Sequence, residues 1–289
     1  MSDIIAAILV IAVLFVLSNF WRGKASTKRK STFQPILDNF KTIEEVQKAL
    51  REAGLEASQL IVGIDYTKSN EWQGQKTFGG RCLHHLGDKM DPNPYQHVIS
   101  VMAKTLESFD DDGQIPAFGF GDESTRDQRV FRLGSGDCDG VQDLLKRYNT
   151  VTPKTTLSGP TSFAPLIREA IKIVRETREY HILLIVADGQ VSNERETVDA
   201  IVEASDCALS IVLVGVGDGP WDKMEEFDDG LPRRRFDNFQ FVDFHKTMQQ
   251  HQSDAAFALS ALMEIPDQYK AIRELHLLGK AKDAVDVVD

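Results

Sequence analysis

Cysteine is scarce. Cys82, Cys138 and Cys207 are the only three in 289 residues, far apart and without a CxxC pair. That excludes a disulfide framework and a zinc site built on cysteine pairs, and it fits a reducing compartment. Positive charge is also short: 33 Lys and Arg face 44 Asp and Glu, a formal net charge of −11. A general nucleic-acid binder needs clustered cations against phosphate, so that class is set aside. The spacings GxGxxG and GxxxxGK[ST] of nucleotide loops are missing, as is the GxSxG elbow of a serine hydrolase. The histidines, at 84, 85, 97, 181, 245, 251 and 276, fit no triad order, so no catalytic set is assigned and the chain reads as a non-enzyme. Repeats and low-complexity segments are absent. What remains is a chain with 42% hydrophobic residues, enough for a real core rather than disorder.

One long apolar run stands out, Ile4 to Leu17, extending through Phe20 and Trp21. As a helix, roughly 18 residues reach about 27 Å, close to the ~30 Å of bilayer hydrocarbon. Asp3 precedes the run, and Arg22, Lys24, Lys28, Arg29 and Lys30 follow it. A cleaved signal peptide has the opposite charge order, and the positive-inside rule keeps the basic side in the cytosol. The expectation is a single-pass membrane anchor over residues 1–22 and a basic tether over 23–33. A cytosolic domain over 34–279 and a flexible tail over 280–289 complete it.

Within the expected domain, apolar runs alternate with amphipathic stretches. Thr42 and Glu45 form a capping-box pattern ahead of a helix with Ile43, Val46, Ala49 and Leu50 on one face. Buried strands are expected at Leu60–Ile64, Ile115–Phe120, His181–Ala187, Leu209–Val216 and Phe239–Phe244. Helices are expected over Pro94–Phe109, Val141–Tyr148, Phe163–Thr177, Arg195–Ser205 and Trp221–Phe227. A last one, Ala255–Leu278, is broken at Pro266. Glu71 to Pro94 reads as a long loop. The alternation predicts an α/β, doubly wound, mostly parallel sheet with helices on both faces.

The first strand ends in Asp65-x-Thr67-x-Ser69, and a later one ends in Asp188-Gly189. Between them Thr161 stands in the turn-rich loop Leu157–Pro165, which opens a helix. In a wound sheet these strand ends share the carboxyl edge, where ligands bind. Two carboxylates and three hydroxyls are hard oxygen donors, suited to Mg²⁺ or Mn²⁺, with Ca²⁺ left open. His84-His85 with Asp88 is a weaker metal pattern, because adjacent side chains do not converge on one ion. GVGDG, residues 215–219, reads as a tight strand-to-helix turn.

Several segments together resemble the copine-type von Willebrand factor A-like domain. They are VGIDYTKSN (62–70), FGFGDESTRDQRVF (118–131), GPTSFAPLI (159–167), LLIVADGQVS (183–192) and SIVLVGVGDGPWDKMEEFDD (210–229). The resemblance runs from about Phe33 to Leu278 and is strongest to the copine-like half of the plant RING-domain ubiquitin ligases. It implies a metal-ion-dependent adhesion site with Asp65, Thr67, Ser69, Thr161 and Asp188 as metal residues. It also implies a protein partner that completes the coordination with an acidic side chain. The two-zinc RING of those ligases needs about eight paired Cys and His ligands, which this sequence does not supply. The C2 domains of copines have no counterpart, and Ser2 stands where those ligases carry a Gly for myristoylation. The expected function is thus a membrane-tethered, metal-dependent protein-binding module. The alternative is a substrate-recruiting component of ubiquitination with the RING supplied by another chain.

Overall fold

The computed structural model describes residues 40–87, 91–189, 191–231 and 234–279. The first helix, α1 (Ile43–Glu52), starts at the expected capping box: the Thr42 hydroxyl accepts from the Glu45 N–H, and the Glu45 carboxylate reaches back to the Thr42 N–H. Strand β1 (Gln59–Asp65) follows, with every residue buried. Helix α2 (Pro94–Leu106) begins at a second capping box, Asn93 with Gln96, and Pro94 sits where its missing N–H costs nothing. Then come β2 (Gln114–Ile115), β3 (Ala117–Phe120), β4 (Phe131–Arg132), β5 (Cys138–Asp139) and α3 (Gly140–Val151). The chain continues through α4 (Ala164–Thr177), β6 (His181–Ala187), α5 (Glu194–Ala204), β7 (Leu209–Gly215), α6 (Asp222–Gly230) and β8 (Phe239–Asp243). Three helices close the described chain: α7 (Phe244–His251), α8 (Asp254–Leu262) and α9 (Ile265–Glu274).

The main sheet has the order β4-β3-β1-β6-β7-β8. All neighbours are parallel except β3 and β4. β1, β6 and β7 are buried along their whole length, because central parallel strands are covered on both faces and cannot alternate with polar residues. The chain moves from β1 to β3 in one direction, and from β3 to β6, β7 and β8 in the other. Right-handed crossovers then place α2 on one face and α4 and α5 on the opposite face. The observed packing agrees: α4 contacts α5, while α1, α2 and α8 contact one another. The direction reverses between β1 and β6, which is the switch point where the crevice of such a sheet opens.

Two details differ from the sequence reading. Pro116 divides the expected Ile115–Phe120 strand into β2, paired antiparallel with β5, and β3 in the main sheet. Helix α7 was not expected; it is capped by Asp243, whose carboxylate accepts from the Lys246 N–H. The expected break at Pro266 is present: α8 ends at Leu262 and α9 starts at Ile265, with Pro266 in its first turn.

The expected localisation as a single-pass membrane protein is corrected. Among the described residues no helix is long and apolar enough to cross a membrane. The longest, α4, has 14 residues, about 21 Å of helix against ~30 Å of hydrocarbon. The expected anchor over 1–22, the tether over 23–33 and the tail over 280–289 lie outside the described residues, and the membrane assignment is not carried further.

Candidate metal centre

The carboxyl ends of β1 and β6 meet at the switch point; β1 ends at Asp65, and Asp188 directly follows β6. Asp65 is fully buried, and Asp188 is 1% exposed. Asp65 Oδ1 accepts from the Thr67 N–H at 2.8 Å, which folds the chain sharply out of β1. The turn then brings Thr67 Oγ1 within 2.9 Å of Ser69 Oγ, and Ser69 Oγ donates to Asp188 Oδ1 at 3.0 Å. Asp65, Thr67, Ser69 and Asp188 therefore form one connected group across 119 residues of separation between Ser69 and Asp188.

Thr161 reaches the same edge through its backbone. The preceding Ser158 N–H donates to Tyr66 O, and Ser158 O accepts from Lys68 N–H, so this loop lies along the Asp65–Ser69 turn. Thr161 O accepts from Ser192 N–H, in the segment that follows Asp188. The Thr161 side chain, 8% exposed, lies outside the Thr67–Ser69–Asp188 hydrogen-bond chain. Behind it Phe163, buried at the start of α4, packs edge-to-face on Phe120 of β3 with ring centroids 5.8 Å apart.

Each aspartate also has an oxygen with nothing to bond. Asp65 Oδ2 and Asp188 Oδ2 are buried and have no hydrogen-bond partner among the described residues. A buried carboxylate oxygen without a partner is costly. Burial raises the Asp65 carboxyl from its ordinary 3.8 to about 6. Burial, then the neighbouring Asp65 charge, raises Asp188 well above the ordinary range. Two carboxylates in one dry crevice resist simultaneous ionisation unless a cation lies between them. The donor set fits a hard divalent ion: orphaned carboxylate oxygens and nearby hydroxyls, with no sulfur or imidazole. Among the described residues no group of three or more His, Cys, Asp or Glu side chains is arranged to hold a metal.

Two glycines make the crevice walls. Gly121, just after β3, has φ +82°, and a Cβ there would lie 2.4 Å from Thr67 Cγ2. Gly217, after β7, leaves no room either: its Cβ would stand 2.4 Å from the Asp188 carbonyl oxygen and 3.1 Å from Gln73 Cβ. Because backbone cannot rotate away as a side chain can, Gly217→Ala must displace the Asp188 segment. The expected result is a loss of about 1–3 kcal/mol in stability and, for a centre that holds Mg²⁺, roughly tenfold weaker binding as the displaced carboxylate misses its position. Urea unfolding and calorimetric titration check it; unchanged Mg²⁺ affinity in a folded variant counts against the placement.

Sequence reasoning missed what surrounds this group. The expected loop from Glu71 onward is clamped to the β7 turn: Asp218 accepts from Lys76 N–H, Thr77 N–H and Thr77 Oγ1, and Gln73 Nε2 donates to Gly219 O. GVGDG is therefore a strand-to-helix turn that also fastens the loop. Of the His84-His85 pair, His85 is exposed and His84 is buried in hydrogen bonds. Desolvation lowers His84 to about 4, so the ring is neutral at physiological pH. No periodicity or spacing in the sequence signals these contacts, because the partners come from separate elements.

The description of the copine family matches residues 82–281. Copine family protein 2 of Caenorhabditis elegans is 56% identical over 252 residues, covering 85% of this chain and 3% of that protein. The E3 ubiquitin-protein ligase RGLG5 of Arabidopsis thaliana is 51% identical over 283 residues, covering 91% of this chain and 65% of the ligase. The chain thus spans less than two thirds of either relative. Among solved structures, a von Willebrand factor type A structure from Catenulispora acidiphila superposes with a TM-score of 0.42 at 12% identity. It covers 72% of this chain and 43% of that one. With a family match over most of the chain and half the residues shared with these relatives, the chain belongs to the copine family.

Proposed function

We propose that this domain is a protein-binding module that captures its partner through a divalent cation held by Asp65, Thr67, Ser69, Thr161 and Asp188. The observation that carries the reading is the pair of orphaned, buried carboxylate oxygens on Asp65 and Asp188 at the switch point. Mg²⁺ or Mn²⁺ suits these hard oxygens, and Ca²⁺ is the third candidate. When bound, the cation supplies positive charge and an open position for an oxygen from outside. The hydroxyls add no charge, and the Thr67 N–H and Ser69 hydroxyl already draw on the two carboxylates, so the cation keeps positive character and an acidic side chain of a partner is the natural incoming group.

The residues of the chain prepare this docking. Lys68, between Thr67 and Ser69, is exposed and lines a cleft of about 530 Å³ beside the turn, with Glu71 and Leu157 also on its walls. Its charge attracts an acidic segment to the surface beside the turn, an effect that salt screens. Capture of partners from a cell extract is expected with Mg²⁺ or Mn²⁺ present, and its loss with EDTA or with Asp188→Ala. The captured set, identified by mass spectrometry, defines the partner. A set unchanged by both treatments removes the cation from the mechanism.

A second reading rests on the ubiquitin-ligase names of the relatives. In it the domain recruits a substrate for ubiquitination while the zinc-bearing part is supplied by another chain. Purified protein with an activating enzyme, a conjugating enzyme and ubiquitin is then expected to build no chains. Chain formation by this protein alone overturns that division of labour.

A further inference from the structure

Three side chains converge on the backbone carbonyl oxygen of Asp65: His84 Nε2 at 2.7 Å, Tyr95 OH at 3.2 Å and Asn70 Nδ2 at 3.3 Å. A carbonyl oxygen has two lone pairs, so the three are not equal. Tyr95 OH has a shorter bond to Asn70 Oδ1, 2.8 Å, and Asn70 Nδ2 a shorter one to Thr67 O, 2.9 Å. His84 is the principal donor.

A carbonyl only accepts, so the ring nitrogen facing it carries the proton. His84 is then the Nε2–H tautomer, and its Nδ1 accepts. Tyr148 OH, 2.8 Å from Nδ1, must donate to it. The Tyr148 oxygen in turn accepts from Asn93 Nδ2 at 3.0 Å. Asn93 is fixed as the cap of α2, its Oδ1 accepting from the Gln96 N–H. The result is a one-way chain of hydrogen bonds, Asn93 to Tyr148 to His84 to the Asp65 carbonyl, running from a helix terminus to the candidate metal turn. The ring plane is fixed as well. His84 is stacked between Tyr66, centroids 4.7 Å apart and planes 13° apart, and Tyr95, 4.1 Å and 21°.

We propose that His84 is a positioning residue for the candidate cation centre: as the Nε2–H tautomer it holds the Asp65 peptide plane, and through it the Asp65 carboxylate and the Thr67 turn. The proposal rests on the cation-binding reading of Asp65 and adds a residue that touches no cation itself. Outer partners of metal ligands are commonly worth 10–100-fold in metal affinity.

Two variants separate positioning from packing. In His84→Gln the amide Nε2 occupies the place of the ring Nε2 and keeps the donor to Asp65 O. In His84→Asn the shorter amide remains beside Tyr148 but does not reach Asp65. Mn²⁺ titrated calorimetrically into the full chain is expected to bind His84→Asn about 10–100-fold more weakly than wild type, and His84→Gln within about threefold. The Thr67 amide, which donates to Asp65 Oδ1, should exchange at least roughly tenfold faster in the Asn variant and at the wild-type rate in the Gln variant. Wild-type Mn²⁺ affinity in the Asn variant, or equal loss in both, overturns the proposal. The ring tautomer in the wild-type protein, read by ¹⁵N NMR, decides the matter if a variant does not fold. Nε2–H supports the assignment and Nδ1–H overturns it. A wild-type protein that binds no Mn²⁺ defeats the cation reading instead; the Thr67 amide rates then still test whether His84 holds the turn.

Discussion

Asp65→Asn is expected to abolish divalent-cation binding and, in the same protein, to raise the stability of the metal-free fold at pH 7.5. The first effect follows from removing one of two carboxylates from a site whose other donors are neutral. The second follows from burial. Asp65 is raised from 3.8 to about 6 by desolvation, so the folded state holds the proton more tightly than the unfolded chain. The associated stability is fully present below about pH 3.8 and is lost as pH rises through about 6, a difference on the order of 3 kcal/mol by pH 7.5. Asn has the same shape, keeps an oxygen for the Thr67 N–H and carries no charge to desolvate. The advantage of the variant should be near zero at pH 4 and grow through pH 6. His84 works in the other direction, since its stability contribution is lost as pH falls from 6.5 through about 4. It is common to both proteins, so it cancels in the difference between their curves, which reports Asp65 together with the part of the Asp188 shift that the Asp65 charge causes. Urea unfolding of EDTA-treated wild type and variant at several pH values makes the comparison. Thermal unfolding with added Mg²⁺ should shift the wild type upward, more at pH 7.5 than at pH 5 because protons compete for the same oxygens, and leave the variant unmoved. A variant less stable than wild type at pH 7.5, or one still stabilised by Mg²⁺, refutes this account of the site.

Phe163→Ala should cost about 3–5 kcal/mol, the usual range for emptying a buried aromatic site. Phe163 is fully buried, and its ring meets Phe120 at an interplanar angle of 84°. This pair joins the start of α4 to the end of β3, directly behind Thr161. The loss therefore has a local consequence beyond stability: the Thr161 loop is released from the sheet, and Mg²⁺ affinity should fall with it. Leu50→Ala supplies the comparison. Leu50 is equally buried but lies on α1, the helix that leads into the amino end of β1, away from the carboxyl edge. Its cost should be about 2–5 kcal/mol with Mg²⁺ affinity unchanged at temperatures where both variants are folded. Equal affinity losses in the two variants dissociate Phe163 from the site.

Much of this arrangement is legible in the amino-acid order. Leu60–Ile64, Ile182–Ala187 and Ile211–Val214 are short apolar runs without alternation, the pattern of strands covered on both faces. Each of the first two runs stops at an aspartate, so a parallel sheet must deliver Asp65 and Asp188 to one edge. The Asp-x-Thr-x-Ser spacing gives the hydroxyls, since a turn held by the Asp65 carboxylate brings Thr67 and Ser69 back toward it. The membrane assignment fared differently: it rested on one apolar run, and no described helix supports it.

The sequence by itself therefore determined the central strands β1, β6 and β7, most of the helical faces and the residue types at the carboxyl edge, because burial and periodicity are local properties. Tertiary structure decided which of those ends become neighbours. It placed β1 beside β6, so that Ser69 meets Asp188, and it left one oxygen of each aspartate without a partner. It also carried His84 from an irregular loop to a place beneath Asp65 between two tyrosines. These are contacts between residues far apart in the chain, and they exist only once the sheet has closed and excluded water from the crevice.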